Sequence, residues 1–148
     1  WKVPIVLGEA LPPHDTRLVT LAAKHLTGLA VDPSALLKAN LGDAGYFRVQ
    51  YDETLFAPLL EHVTELAEAD RLNLLNDTWA LVRSGREPVA GYLRLASRLR
   101  ADPSYAIIDQ IAGALWSIDG LTRGYSEREA FRQWARQLLA PQAPRRRQ

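Results

Sequence analysis

The sequence contains no cysteine and no methionine among its 148 residues, and no apolar run approaches the roughly 18 residues that span a bilayer. The lack of cysteine excludes a disulfide framework, a thiol nucleophile and a cysteine-ligated metal. It does not fix the compartment, because cytosolic and exported proteins can both lack cysteine, and we favour the cytoplasm. The chain begins at Trp1 instead of methionine, which we interpret as a fragment of a longer protein. We predict no membrane span.

Neither sign of charge dominates the chain. The formal net charge is +1, which gives no argument for binding to nucleic acid or to an anionic membrane. The segment 119–148 is more basic than the rest, and it ends in the run Arg145–Arg147. Three arginines neutralise few phosphates, so we interpret this run as a solvated tail and predict no nucleic-acid partner.

The sequence also lacks the helical motif of a zinc peptidase. Its histidines are His14, His25 and His62, whereas that motif places two histidines four positions apart with a glutamate beside the first. The residues four positions from His62 are Pro58 and Leu66. We therefore assign no catalytic residue, metal ligand or cofactor to this chain, and we interpret the histidines as surface residues.

Residues 1 to about 51 have the spacing of β structure. Apolar and other residues alternate at the start of the chain, as in a half-buried strand, and Pro4 favours an edge position. The segment 16–30 fits either a helix or a strand. Turns are predicted at Pro12–Asp15 and Asp32–Ser34, and a hairpin is predicted between Ala35–Ala39 and Tyr46–Tyr51.

After Asp52 the apolar spacing becomes helical. Asp52 can cap the first helix, whose apolar face is Phe56, Leu59, Leu60, Val63, Leu66 and Ala67. Four further helices are predicted. The second is capped at Asp70 and ends near Ser84, and the third starts at Pro88. The fourth runs from Asp102–Pro103 to Gly120, and the fifth starts at a capping box of Ser126 and Glu129.

The helical patterns also predict the packing. Inward positions are expected at Val89, Tyr92, Leu93, Ala96 and Leu99 in the third helix, at Ile108, Ile111, Ala112 and Leu115 in the fourth, and at Phe131, Trp134, Ala135 and Leu138 in the fifth. Trp79, Trp116 and Trp134 are expected to pack between helices. The Pro- and Arg-rich tail Ala140–Gln148 is expected to be disordered.

The overall prediction is an α+β chain by segment, with β structure first and helices second. Short amphipathic helices joined by Gly and Pro turns are typical of antiparallel helix pairs. A stack of such pairs would resemble a HEAT or armadillo array, although no repeating consensus is visible.

The most informative stretch is 40–52, where the β segment meets the first helix. It carries Asn40, Gly45-Tyr46-Phe47-Arg48-Val49 and Tyr51-Asp52, and a second motif follows at Asp70-Arg71-Leu72-Asn73-Leu74-Leu75-Asn76-Asp77. In order and spacing, these stretches resemble the Asn…Gly-Tyr-Tyr-Arg-Val-x-Tyr-Asp signature and the Asp-Arg-Ala-x-Leu-Leu-x-Asp helix of zinc aminopeptidases of the aminopeptidase N (gluzincin) type. Trp1–Ile5 is similar to a Trp-x-Ile-Pro strand of that family. Phe47 and Leu72 depart from the family's usual Tyr and Ala.

The resemblance implies a division of the chain and a role for it. Residues 1–51 would be part of a β-sandwich domain, and residues 52–148 the first helices of a C-terminal α-solenoid domain. The parent would be a zinc enzyme that removes N-terminal residues from peptides, with its catalytic domain before Trp1. This region would contact that catalytic domain, close over the substrate chamber and limit which peptides enter. The alternative hypothesis is a stand-alone helical protein-interaction module.

The same resemblance implies a structural seam between sandwich and solenoid. We expect Asp70 to cap its helix, Asp77 to pair with Arg71 or Arg48, and Arg48 to tie the β segment to the first helices; contact with a substrate carboxylate or another domain is the second interpretation of Arg48. The predicted seam residues are Asn40, Gly45, Tyr46, Arg48, Tyr51, Asp52, Asp70, Arg71 and Asp77.

Overall fold

A computed structural model describes residues 2–11, 16–23 and 35–140. Within these ranges the chain forms a small antiparallel sheet followed by five α-helices, which confirms the α+β class. The predicted turns at Pro12–Asp15 and Asp32–Ser34 lie outside the described residues, as do His14, His25 and the tail after residue 140.

The sheet has three strands, β1 (Val3–Glu9), β2 (Thr16–Leu21) and β3 (Leu37–Ala39), in the order β2-β1-β3. The ambiguous segment 16–30 is therefore a strand over its first six residues. The prediction that Pro4 marks an edge strand was wrong, because β1 is central among the described strands. Pro4 is tolerated there because β3 pairs only with Leu7–Glu9, so that Pro4 faces a partner, Thr20, on one side alone.

The predicted hairpin between residues 35–39 and 46–51 was also wrong. β3 pairs with β1, and residues 46–51 form no strand. Asn40 adopts a left-handed conformation with φ of 56°, and a short 3₁₀ turn at Leu41–Asp43 follows. This reversal carries the chain away from the sheet edge, and Arg48 and the Val49 N–H of the following segment bind the carboxylate of Asp77.

The helices are α1 (Glu53–Glu61), α2 (Glu68–Arg83), α3 (Val89–Arg98), α4 (Tyr105–Leu121) and α5 (Arg128–Leu139). The predicted first helix is interrupted at His62, and a 3₁₀ turn at Val63–Glu65 leads towards α2. Most of its apolar face persists across the break, since Leu59, Leu60, Val63 and Leu66 are buried, whereas Ala67 is exposed.

Helix ends follow the sequence signals in part. Asp52 caps α1 by accepting a hydrogen bond from the Leu55 N–H, and α2 ends at Arg83, with Ser84 as its C-cap before Gly85, whose φ is 71°. The prediction that Asp70 caps α2 was wrong, because the helix begins at Glu68.

Two further predictions of helix ends fail. The helix predicted to end at Gly120 extends one residue beyond it, to Leu121. The capping box at Ser126 and Glu129 does not form, and α5 begins after Glu127 without a side-chain cap. The α5 helix is held instead by Arg128 and Arg132, whose guanidinium groups both bind Asp119 of α4.

One core joins the helices. α2 contacts both α3 and α4, and α4 contacts α5. The core includes Leu59, Val63, Leu66, Leu74, Leu75, Tyr92, Leu95, Leu99, Ile107, Ile111 and Leu115. No helix of the described part of the chain is long and apolar enough to cross a membrane.

The inward faces were partly misassigned. Tyr92, Ala96, Leu99, Ile111, Leu115 and Leu138 are buried as predicted, whereas Leu95, Ile107, Ala114 and Ile118 are buried without having been predicted. Trp79 packs on Tyr92 with ring centroids 5.1 Å apart, and Trp134 lies 6.0 Å from Phe131. Trp116 is 79% exposed, so its predicted packing between helices was wrong. The side chain instead borders an open groove between α4 and α5.

Candidate functional site

Lys38 lies at the centre of the contact between β3 and α2. Its side chain is fully buried, and its Nζ lies 3.0 Å from Asp70 Oδ1. The ammonium also donates to Asn73 Oδ1 at 2.8 Å and to the Asn40 carbonyl at 3.2 Å. A buried charge is tolerated only when it is paired and hydrogen-bonded, and this one satisfies both conditions.

Asn40 shapes the loop that follows β3. Its side-chain oxygen accepts from the Gly45 N–H at 2.6 Å, and its amide nitrogen donates to the Gly45 carbonyl at 3.0 Å. The amide nitrogen also lies 3.2 Å from Asp43 Oδ1, which accepts a second bond from Asn73 Nδ2 at 2.9 Å. A left-handed asparagine thereby closes the loop with its own side chain. We call Lys38, Asn40, Asp43, Asp70 and Asn73 the junction cluster.

Two glycines let the loop approach its neighbours. The Gly42 N–H donates to Asp70 Oδ1 at 2.8 Å, and Gly42 has φ of 70°. A Cβ placed on Gly45 would lie 2.2 Å from the Phe47 ring and 3.2 Å from Asn40 Oδ1. Only glycine fits at position 45 while that ring and the Asn40 bond remain in place.

Asp77 binds the segment after the loop to α2. Arg48 Nη1 lies 2.9 Å from Asp77 Oδ1, and the Val49 N–H donates to Asp77 Oδ2 at 3.0 Å. The carboxylate is buried, whereas the arginine side chain is 57% exposed. The expected arginine partner of Asp77 is thus Arg48, and the backbone bond was not anticipated.

Tyr51 connects the same segment back to β3. Its hydroxyl accepts from the Ala39 N–H at 3.1 Å and donates to the Ala39 carbonyl at 3.2 Å. Burial raises the pKa of the Tyr51 phenol well above its usual range. Next to it, hydrogen bonds from the Thr54 hydroxyl and the Leu55 N–H lower the pKa of the Asp52 carboxyl.

Two of the predicted seam residues lie apart from these contacts. Arg71 Nε lies 2.7 Å from Asp102 Oδ2, so Arg71 joins α2 to the loop before α4 and does not pair with Asp77. Tyr46 is fully exposed at the surface.

Sequence reasoning left Lys38, Asp43 and Asn73 out of the predicted seam, and it placed Asp102 only at the start of the fourth helix. A usable signal existed for Asn73, because Asp70, Asn73 and Asp77 recur at helical spacing and mark one polar face of the helix. No comparable signal existed for Lys38, since a lysine in a short apolar strand usually extends its ammonium to solvent.

The arrangement connects elements of the fold through carboxylates that are already engaged. The carboxylates of Asp70 and Asp77 are occupied by cations and backbone N–H groups of the same chain. Within the described residues no three His, Cys, Asp or Glu side chains come together as a metal site. These residues therefore do not fit a zinc ion, and His62 instead lies 2.8 Å from Glu65 on the surface.

Comparison with known proteins identifies the family that the chain matches. The sequence model of the ERAP1-like C-terminal domain matches residues 36–146, a range that begins just before β3. The chain is 26% identical over 132 residues to the puromycin-sensitive aminopeptidase of Caenorhabditis elegans, covering 86% of this chain and 14% of that protein. It is 30% identical over 83 residues to the tricorn protease-interacting factor F2 of Thermoplasma volcanium, covering 56% of this chain and 11% of that protein.

A plant aminopeptidase is also similar to this chain. The chain is 30% identical over 84 residues to aminopeptidase M1-A of Oryza sativa subsp. japonica, covering 55% of this chain and 10% of that protein. The chain spans about one seventh or less of the length of these relatives. The motifs at 40–52 and 70–77 lie inside the matched range of the family model, and the chain belongs to the ERAP1-like C-terminal domain family.

Proposed function

We propose that this chain is the non-catalytic part of a zinc aminopeptidase that removes N-terminal residues from peptides, and that it shapes and closes the substrate chamber. Membership in the C-terminal domain family and the aminopeptidase names of two relatives support this proposal. The zinc ion and the catalytic residues belong to the catalytic domain of the parent, which this region would contact together with the peptide substrates. A stand-alone interaction module is not favoured by the family match.

The domain division is part of the proposal. Residues 1–51 would complete a β-sandwich, and residues 52–148 would begin a HEAT- or armadillo-like helix array. The successive contacts of α2 with α3 and α4, and of α4 with α5, support such an array.

The junction cluster and the neighbouring Arg48–Asp77 pair support the chamber-closing role. The buried Lys38–Asp70 ion pair binds β3 to α2, and the Arg48–Asp77 pair binds the segment after the loop to the same helix. Buried polar networks tolerate few alternative arrangements, because each shift leaves a charge or donor without a partner. We propose that this seam sets the orientation of the helical region relative to the sheet and so the shape of the chamber entrance.

The first test asks whether a larger parent exists. An immunoblot of source cells with an antibody to this chain should give a band several times larger than 16.5 kDa, and that protein should contain zinc and cleave aminoacyl p-nitroanilides. A single band near 16.5 kDa would refute the proposal and favour the interaction module.

The second test addresses the seam in the larger protein. Asp77→Asn keeps an acceptor for the Val49 N–H but loses the charge that binds Arg48. We expect a higher KM for long peptides with little change for aminoacyl p-nitroanilides, since only long substrates depend on the chamber entrance. Asp109→Asn, on the exposed face of α4, is the control. An equal effect on both substrate lengths would argue against the chamber role.

A further inference from the structure

A pocket of about 500 Å³ lies between the segment Val49–Glu53 and the helices α2 and α3. Its volume falls within the range of small-molecule sites. Aromatic and aliphatic side chains, including Tyr51, Phe56 and Leu81, form part of its lining. None of the contacts of the junction cluster occupies this space, so the pocket is a separate feature of the fold.

Thr78 supplies a free hydroxyl inside the pocket. The residue is only 8% exposed, and it lines the pocket from α2. Serines in other helices bind the carbonyl four residues earlier, at 2.7 Å for Ser97 and 2.9 Å for Ser117. Within the described residues the Thr78 hydroxyl makes no hydrogen bond of this kind, and its oxygen is not fully buried. The little surface that it retains therefore opens into the pocket.

Gly91 leaves the pocket open. It lies in the first turns of α3, where glycine is less favourable than alanine because of its backbone freedom. A Cβ built on Gly91 would meet nothing within 4 Å. No steric reason therefore requires glycine at this position, and the missing side chain enlarges the cavity that the helix lines.

The pocket carries more carboxylates than guanidinium groups. Arg94 is held by Glu53 through contacts of 3.1 and 3.3 Å, and Asp52 is committed to capping α1. Glu87 accepts a hydrogen bond from Gln50 Nε2 at 2.6 Å, but no cation of the described residues pairs with it. The carboxylates at the pocket thus outnumber the guanidinium groups, with Glu87 as the unpaired charge.

We propose that this pocket binds a cation on an apolar stem, an ammonium or guanidinium group that pairs with Glu87 while its stem contacts Phe56 and Leu81. The Thr78 hydroxyl would accept or donate one hydrogen bond at the inner end. The chemistry is shared by a small organic amine and by a lysine or arginine side chain of a protein segment.

Binding is measured on the complete 148-residue chain by ¹H–¹⁵N correlation spectra, following the amides of Thr78 and Gly91. Three probes of one shape separate charge from apolar contact: 4-phenylbutylammonium, 4-phenylbutanol and 4-phenylbutyrate. We expect the ammonium to bind about tenfold more tightly than the alcohol, as for a charge-assisted hydrogen bond, and the carboxylate to bind more weakly than either.

Three variants locate the site, and the first two have a matched control. Glu87→Gln should reduce ammonium binding to the level of the alcohol, whereas Glu61→Gln on α1 should not. Gly91→Leu should abolish binding of all three probes by filling the pocket, whereas Gly113→Leu on the exposed face of α4 should not. Thr78→Val should weaken binding about threefold, the loss of one hydrogen bond.

The source of the cation is tested with a capped peptide, acetyl-Leu-Lys-Leu-amide, and its norleucine analogue. Tighter binding of the lysine peptide than of the free ammonium would identify a protein segment as the ligand, and the reverse would identify a small amine. Equal binding of the three phenylbutyl probes, or unchanged binding in the Gly91→Leu variant, would overturn the proposal.

Discussion

Lys38→Met is the most demanding test of the junction cluster. The substitution keeps the length and apolar stem of the side chain but removes the ammonium, which lies 3.0 Å from Asp70 Oδ1 and 2.8 Å from Asn73 Oδ1. Because the two side chains of the ion pair are 0% and 5% exposed, solvent cannot replace the lost partner. Removing one member of a buried pair costs about 3–5 kcal/mol, a large share of the roughly 5–15 kcal/mol that stabilises a domain.

The measurement is urea unfolding monitored by far-UV circular dichroism. Lys38→Met, Asp70→Asn and the variant that carries both substitutions form a double-mutant cycle. Asp70→Asn keeps an acceptor for the Gly42 N–H, so we expect a smaller loss than for Lys38→Met. The double variant should be less destabilised than the sum of the single ones, since neither then leaves a buried charge unpaired. Arg94→Met, which breaks an exposed pair with Glu53, should have a much smaller effect.

A loss below about 1 kcal/mol for Lys38→Met, a value typical of surface pairs, would refute the reasoning. Additive effects in the double variant would also contradict it, because they would mean that Lys38 and Asp70 do not act on each other.

Three further predictions concern single positions. Gly45→Ala should destabilise the chain by about 1–3 kcal/mol, as overpacking does, because the new methyl would lie 2.2 Å from the Phe47 ring; urea unfolding measures this. Hydrogen bonds from Arg128, and further bonds from Arg132, lower the pKa of Asp119 from 3.8 to about 2. The stability that Asp119 contributes is therefore present above pH 4 and lost as the pH falls towards 2, so Asp119→Asn should flatten the pH dependence of the melting temperature in that window. Trp116→Ser should change the free energy of unfolding by less than about 0.5 kcal/mol and should remove red-shifted fluorescence, because the side chain is 79% exposed.

Each of these predictions has a contradicting result, and the first two have a control variant. Gly113→Ala, where a Cβ meets nothing within 4 Å, should not destabilise α4, and equal losses at both glycines would dismiss the steric argument. Asp109→Asn should not change the pH dependence of the melting temperature between about pH 4 and pH 2. If the melting temperature of Asp119→Asn still falls steeply in that window, other carboxyl groups cause the fall. A large loss of stability in Trp116→Ser would restore the interpretation that this side chain packs between helices.

Several features could be predicted from local pattern. The change from β structure to helical spacing near Asp52, the cap at Asp52 and the end of α2 before Gly85 all follow from side chains that act within one turn of the backbone. The two motifs also led to the correct family, because their order and spacing survive in the sequence itself.

The failures have a common cause. Residues 46–51 have strand propensity, but Asp77 of α2 takes up the Val49 N–H, so no strand forms. Asp70 resembles a cap, but Lys38 and the Gly42 N–H occupy its carboxylate. Exposure of Trp116 depends on how α4 is rotated against its neighbours, which an almost uniformly apolar helix does not reveal.

The family, the α+β class and the approximate position of each helix follow from the sequence, because these depend on spacing along the chain. Three features depend on packing: Arg48 and not Arg71 reaches Asp77, Lys38 is buried against Asp70, and a pocket opens beside Gly91. These contacts join residues about 30 positions apart, and which polar groups meet at that range depends on the relative placement of packed elements, since the free energy of burial selects the partner and local propensity does not.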